Sequence, residues 1–502
     1  MPDTGEPPSR KSSETNGSEN AIPASMPYPL FATPTDTTTS SDTTLWAAVR
    51  ESLRGSHRDY TKGPIGRAII VLAIPMVLEM LMESVFAVVD IFWVAHLGAD
   101  AVATVGLTES MLTLIYAVSI GLGIGATAMV ARRVGEHNPE GAARAAVQAI
   151  SLGLIVSLFV AIGGYLLAPE LLKAMGGSPW VVEQGVGFTR VMFLGNSTIL
   201  LLFLINAIFR GAGDAAIAMR VLWLANAINI VLDPLLIFGI GPFPELGVMG
   251  AAVATTIGRG TGVVYAFTRL VRSGGRFDIR RRHLRLELPI MLRLVRLSAT
   301  GTFQVFIGMA SWIGLIRTIS SFGSDAIAGY TIGIRVIIFA LLPSFGMGNA
   351  AATMVGQALG AQKPDRAEKA VWLAGFYNML FLGAVGLVFV VFARQIISFF
   401  IEDPNVIPYG TDCLRIVAMG FLFYAYGMVL TQSFNGAGDT WTPTIINLFV
   451  FWLWELPLAY ALAIVFEMGP RGVFIAITVA FSSLAVVSAA VFRRGRWKSK
   501  VV

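Results

Sequence analysis

Between residues 72 and 492 the chain repeats one pattern: apolar runs of 20 residues or more, broken by short segments rich in glycine, proline and charge. An α-helix rises about 1.5 Å per residue, so about 20 apolar residues span the hydrocarbon of a bilayer. The pattern predicts twelve spans, at 68–95, 103–131, 143–168, 188–209, 216–240, 248–270, 297–319, 329–356, 370–393, 411–434, 442–466 and 472–492. Strands of a membrane barrel alternate apolar and polar side chains, whereas residues 199–208 are apolar at nearly every position. The predicted fold class is therefore all-α membrane protein.

The pattern is also duplicated at an offset of 225 residues. Gly98, Asp100 and Ala101 match Gly323, Asp325 and Ala326; Met129, Val130, Gly135, Pro139, Ala142 and Ala145 match Met354, Val355, Gly360, Pro364, Ala367 and Ala370. Phe209 and the run Gly211, Ala212, Gly213, Asp214 match Phe434 and Gly436, Ala437, Gly438, Asp439. Each copy holds six spans, an even number, so both copies enter the membrane in the same direction. Two six-helix lobes follow, with a substrate site expected between them.

Composition and charge sharpen this picture. Of 502 residues 55% are hydrophobic and 14% charged, more apolar surface than water tolerates, so lipid is a partner. The net charge of +6 raises nucleic acid as a partner, but the basic residues cluster on one side of the predicted spans. That side holds Arg50, Arg54, Arg58, Arg132, Arg133, Arg210, the group from Arg269 to Arg296, and Arg493 to Lys500; the other offers Lys173, Arg394 and Arg471. The positive-inside rule then makes both termini cytoplasmic, in a plasma (inner) membrane, and explains the charge without nucleic acid. The predicted layout is a disordered tail at 1–44, an amphipathic segment at 45–66, an N-terminal lobe at 67–272, a basic linker at 273–296, a C-terminal lobe at 297–493 and a basic tail at 494–502. The single cysteine, Cys413, excludes an internal disulfide, and the four histidines fall at loops or termini. No His-Glu-x-x-His, Gly-x-Ser-x-Gly or P-loop occurs, so an enzyme is not expected, nor a cofactor. Duplicated lobes with central acids speak for alternating access rather than a channel.

Pro75 and Asp90 in the first span, the turn Leu97-Gly98, the loop from Gly135 to Pro139, the Gly211-Ala-Gly-Asp214 loop and Asn229 to Pro234 in the fifth span, duplicated across two halves, resemble the multidrug and toxic compound extrusion (MATE) family. The resemblance covers roughly residues 65 to 493. It implies a secondary active antiporter that exports organic cations and other amphipathic compounds, driven by inward flow of H+ or Na+. A monomer is expected. A flippase for a lipid-linked saccharide of the same superfamily is the alternative; it would present an arginine-rich cavity, whereas the first-half acids here outnumber the buried cations. In the sodium-coupled branch the second lobe carries carboxylates in its helices 7 and 10. This chain has Gln304 in helix 7, and Asp412 lies at the very start of helix 10.

Ionisable residues inside a span cost several kcal/mol, so their presence points to function or a partner. Glu79, Glu83 and Asp90, at about 100° per residue, fall on one face of the first span. Asn226, Asn229 and Asp233 share a face of the fifth, and Pro234 removes the N–H that would cap the carbonyl of Ile230. Asp90, Asn229 and Asp233 with that carbonyl would form an all-oxygen pocket, either ligating Na+ or holding one proton between two carboxylates. That set is the predicted coupling site. Glu79, Glu83, Asn226, Gln304 and Glu455 are candidates for substrate contact or relay. Leu315 occupies the position opposite Asp90, so coupling is expected to be asymmetric. Trp312, Tyr330, Trp452, Trp454, Met309 and Met347 are candidates for an apolar cavity lining, with ordinary packing as their alternative role.

Overall fold

The computed structural model describes residues 45–55, 59–272, 276–500 and 502, so the tail at 1–44 lies outside the described residues. Among them the secondary structure is helical with no strand. The first half comprises α1 (Leu45–Arg54), α2 (Ile65–Ala95), α3 (Ala99–Gly135), α4 (Pro139–Ala174), α5 (Pro179–Gln184), α6 (Val186–Leu194), α7 (Asn196–Ala212), α8 (Ala215–Phe238) and α9 (Val248–Val271). The second comprises α10 (Leu288–Ile319), α11 (Ser324–Gly360), α12 (Pro364–Phe400), α13 (Ile407–Met419), α14 (Phe421–Gly436), α15 (Trp441–Asn447), α16 (Leu456–Tyr460) and α17 (Pro470–Arg493).

Helices win because lipid offers the backbone no hydrogen-bond partner and a helix satisfies its own. Among the described residues ten helical segments are long and apolar enough to cross a membrane, and α13 with α14, bent by 61°, makes an eleventh if the pair is one span. In the place of the sixth expected span stands α9, 24 residues long; its glycines, threonines and Arg259 dilute its apolar character. The eleventh expected span contains two π-helical stretches, Leu448–Glu455 and Ala461–Val465, flanking α16. Helix α10 starts at Leu288, reaching back into the segment assigned to the linker, with a proline in its first turn where a missing N–H costs nothing.

The duplication is visible in the backbone. Gly98 and Gly323, preceding α3 and α11, share φ of 98° and 96°, a conformation in which a side chain would be strained. Gly213 and Gly438, in the two Gly-Ala-Gly-Asp loops, have φ of 88° and 82°.

The halves meet through α2 against α11 and α3 against α10. A Cβ at Gly121 of α3 would lie 2.1 Å from Thr302 Oγ1 of α10, and one at Gly135 would lie 2.1 Å from the Gln357 carbonyl of α11. These close approaches lie in the half of the bundle nearest the start of α2, the end of α17 and the segment joining the lobes, here termed the basic face. Hydrogen bonds seal the same face. Gln357 Nε2 donates to Gly211 O at 3.0 Å, Thr353 Oγ1 to Arg210 O at 3.0 Å and Arg132 Nη2 to Lys500 O at 2.6 Å. Arg366 donates to the carbonyls of Tyr60, Lys62 and Gly63, and Lys363 to that of Thr61. Each half therefore grips backbone belonging to a segment that flanks the other.

Candidate functional site

Between the halves lies a cavity of about 350 Å³. The first half lines it with Glu79 and Glu83 of α2, Tyr116 of α3, and Phe203, Asn206 and Arg210 of α7; the second with Leu342, Phe345 and Asn349 of α11 and Gln432 and Asn435 of α14. A second cavity, of about 280 Å³, shares Glu83, Tyr116 and Leu342 and continues to Asp90, Glu109, Arg259 and Arg335. Because Glu79, Glu83 and Asp90 share a face of α2, the acids run along the cavities away from the basic face. The predicted carboxylate stripe is thus the wall of the inter-lobe space.

The stripe is not bare. Glu79, 1% exposed, accepts from Arg210 Nη1 at 2.6 Å and from Asn206 Nδ2 at 3.2 Å. Sequence reasoning counted Arg210 among the basic residues of the cytoplasmic side; instead its guanidinium turns inward to the Glu79 carboxylate, which compensates its charge where water does not reach. At the repeat offset, Glu79 corresponds to Gln304 and Arg210 to Asn435, so the second half carries amides where the first carries an ion pair. Gln304 is buried in α10 and is not among the residues lining the two cavities. Glu83 accepts from Arg259 Nη2 and Asn226 Nδ2, each at 3.2 Å. Arg259 also lies over the rings of Phe86, at 5.2 Å, and Phe203, at 5.9 Å, which replace part of its lost hydration.

Beside these pairs sits the predicted coupling set. Asp233 is fully buried, and its Oδ1 accepts from Asn229 Nδ2 at 3.3 Å. The same Nδ2 donates to Thr255 Oγ1 at 3.0 Å. Asp90 is close enough for its charge to act on Asp233 and is itself acted on by Glu109 and Arg259. Asp233 Oδ2 and Asn229 Oδ1 are buried with no donor among the described residues. Two orphaned oxygens within electrostatic reach of a second carboxylate are chemically suited to a hard cation or a shared proton. Among the described residues no three His, Cys, Asp or Glu side chains cluster as metal ligands.

Glu455 is 1% exposed at the end of the first π-helical stretch, with Oε2 unpartnered, in electrostatic contact with Tyr330 and Tyr424. It lines neither cavity. The aromatic lining also differs from expectation: Tyr116, Phe203, Phe345, Phe86 and Phe339 form it, whereas Trp452 is tied to the Ile307 carbonyl at 3.1 Å and Tyr330 stacks on Phe474. Sequence reasoning missed Arg259 and Glu109. Both are charges inside predicted spans, and the cost argument that singled out Asp90 applies to them equally.

Two duplicated helical lobes around a central cavity lined by buried, paired ionisable groups define a membrane transporter, not an enzyme. The chain belongs to the MatE family, whose sequence profile matches residues 75–235 and 301–461, one match in each half. Among its relatives, the probable multidrug resistance protein YoeA of Bacillus subtilis is 25% identical over 447 residues, covering 88% of this chain and 96% of that protein. The probable multidrug resistance protein NorM of Caulobacter vibrioides is 28% identical over 88% of this chain and 94% of its own. An FAD transporter of Shewanella oneidensis is 24% identical, over 79% and 88% respectively. A solved multidrug resistance MATE family transporter in an outward-facing conformation superposes with a TM-score of 0.82 at 27% identity, covering 88% of this chain and 98% of that one.

Proposed function

We propose that this protein exports amphipathic or cationic small molecules across the plasma (inner) membrane in exchange for H+ or Na+, by alternating access of its two lobes. The observation that carries the reading is the pair of orphaned oxygens on Asp233 and Asn229, within reach of the charge of Asp90; Asp90 lines the acid-lined inter-lobe space, whereas Asp233 and Asn229 line neither cavity. Multidrug relatives over nearly the full chain length support the substrate class. The sealed basic face, read as cytoplasmic from its arginines, makes the conformation outward-facing. Both lobes and the whole cavity belong to one chain, which supports action as a monomer.

In this mechanism Asp90 and Asp233 hold the incoming ion, and Asn229 fixes the Asp233 carboxyl while its own oxygen serves as a further ligand. Arg259 and Asn226 pin Glu83 between that site and the main cavity. Filling the site removes negative charge from the wall that an organic cation would occupy, so ion and drug compete, as antiport requires. Four acids (Glu79, Glu83, Asp90, Glu109) face three arginines (Arg210, Arg259, Arg335) along the two cavities. The arginine surplus expected of a pyrophosphate-carrying flippase is lacking there. Proteoliposomes loaded with a cationic dye test the reading: an imposed pH gradient or Na+ gradient, each alone, should drive dye movement in one of the two cases. Movement indifferent to both gradients would overturn it.

A further inference from the structure

A third, smaller cavity opens on the basic face, apart from the transport site. It has a volume of about 240 Å³ and lies where the first turns of α10, the second Gly-Ala-Gly-Asp loop and the C-terminal segment meet. Arg293, Arg296, Lys500, Asp439 and Trp441 line it. Asp439 is 3% exposed: Lys500 Nζ lies 3.2 Å from its Oδ1, an ion pair without hydrogen-bond geometry, and Thr442 Oγ1 donates to its Oδ2 at 2.7 Å. Arg293 and Arg296 stand one helical turn apart on the same side of α10. Both guanidiniums are exposed, and neither has a hydrogen-bond or ion-pair partner among the described residues. With its one acid neutralised by Lys500, the cavity presents two unpaired guanidiniums, the geometry that grips a phosphate through several N–H groups.

The surroundings say which phosphate. Next to the two arginines α10 exposes Leu288 at 65%, Leu292 at 59% and Val295 at 40%, and Trp441 at the cavity rim is 51% exposed. A free anion has no use for such a border, whereas acyl chains do, and an exposed tryptophan beside basic side chains is the composition of a membrane interface. We propose that this cavity binds the phosphate headgroup of an anionic phospholipid, held by Arg293 and Arg296, with its chains along Leu288, Leu292, Val295 and Trp441.

The test is lipid retention by the purified full-length protein, read by native mass spectrometry, with phosphatidylglycerol and phosphatidylcholine of identical chains. Wild type should retain phosphatidylglycerol in preference, and R293A/R296A should lose roughly thirtyfold in that preference, two interfacial charges being removed. R281A/R285A removes the same charge from the exposed segment before α10 and should retain wild-type preference. Equal retention of the two lipids, or equal loss in both double variants, would overturn the proposal, as would displacement of the lipid by millimolar inorganic phosphate. Should R293A/R296A fail to elute as a monodisperse species, R293K/R296K decides: weaker retention than wild type supports the site, because lysine keeps the charge without the fork, and unchanged retention overturns it.

Discussion

Removing the partner of Glu79 should destabilise the first lobe by an amount the geometry bounds. Arg210 Nη1 lies 2.6 Å from Glu79 Oε1, with side chains 11% and 2% exposed, so solvent screens the pair little. Breaking such a buried pair from one side typically costs about 3–5 kcal/mol, because the remaining charge is left uncompensated. Asn206 still donates to Glu79 at 3.2 Å, which places Arg210→Met at the lower end, about 3 kcal/mol. At roughly 2 °C per kcal/mol in a long chain, the melting temperature should fall by about 6 °C. The chain supplies its own reporter: its one cysteine, Cys413, is fully buried, so a thiol-reactive fluorogenic dye reads unfolding directly. Glu79→Gln should also destabilise, by stranding Arg210, whereas the double variant E79Q/R210M should return to within about 1 kcal/mol of wild type. An Arg210→Met protein melting within about 1 °C of wild type, or a double variant no better than the sum of the singles, would refute the pairing.

Arg366→Ala removes three bonds to the carbonyls of Tyr60, Lys62 and Gly63, so amide exchange over residues 59–64 should quicken about tenfold or more, as expected for roughly 1.4 kcal/mol lost from the segment; unchanged exchange would count against the clasp. Gly135→Ala puts a Cβ against the Gln357 carbonyl, so it should unseat the sealed face, and a cysteine placed at Gln357 should become more reactive from that side. Burial raises the pKa of the Asp59 carboxyl, but hydrogen bonds from Thr61 and the charge of Lys62 outweigh it and hold the pKa below the ordinary 3.8. The contribution of Asp59 is therefore present above pH 3.8 and fades as the pH falls through its lowered value. Asp59→Asn should cost under about 0.5 kcal/mol at pH 7, given solvent screening, and progressively less as the pH falls through the lowered pKa.

Much of the architecture was written in periodicity. Continuous apolar runs fix helices because lipid leaves the backbone no alternative, and the offset of 225 fixes two lobes because the same Gly-Ala-Gly-Asp turn and the same helix-starting glycine recur. Helix ends were less legible: α10 and α12 extend beyond the apolar runs, since a helix continues into the interface until a cap or proline stops it. At the site, face geometry placed Glu79, Glu83 and Asp90 on one wall and Asn229 beside Asp233. What it did not reveal was pairing. Arg210 sits near the end of its helix and reads as a surface cation; only its 2.6 Å contact with Glu79, 131 residues away, shows that its side chain turns inward. Arg259 was countable from the start, but its partner Glu83 lies 176 residues away, a separation that no spacing rule bridges.

The measurement that tests the central claim most directly is gradient-driven dye export by Asp90→Asn and Asp233→Asn variants in proteoliposomes, compared with equilibrium dye binding by the same proteins. Both substitutions keep the shape of the side chain and fix it neutral, so the account predicts that ion-driven export stops while dye binding persists. Export at wild-type rates by both variants would contradict it and move the coupling site to Glu79, Glu83 or Glu455.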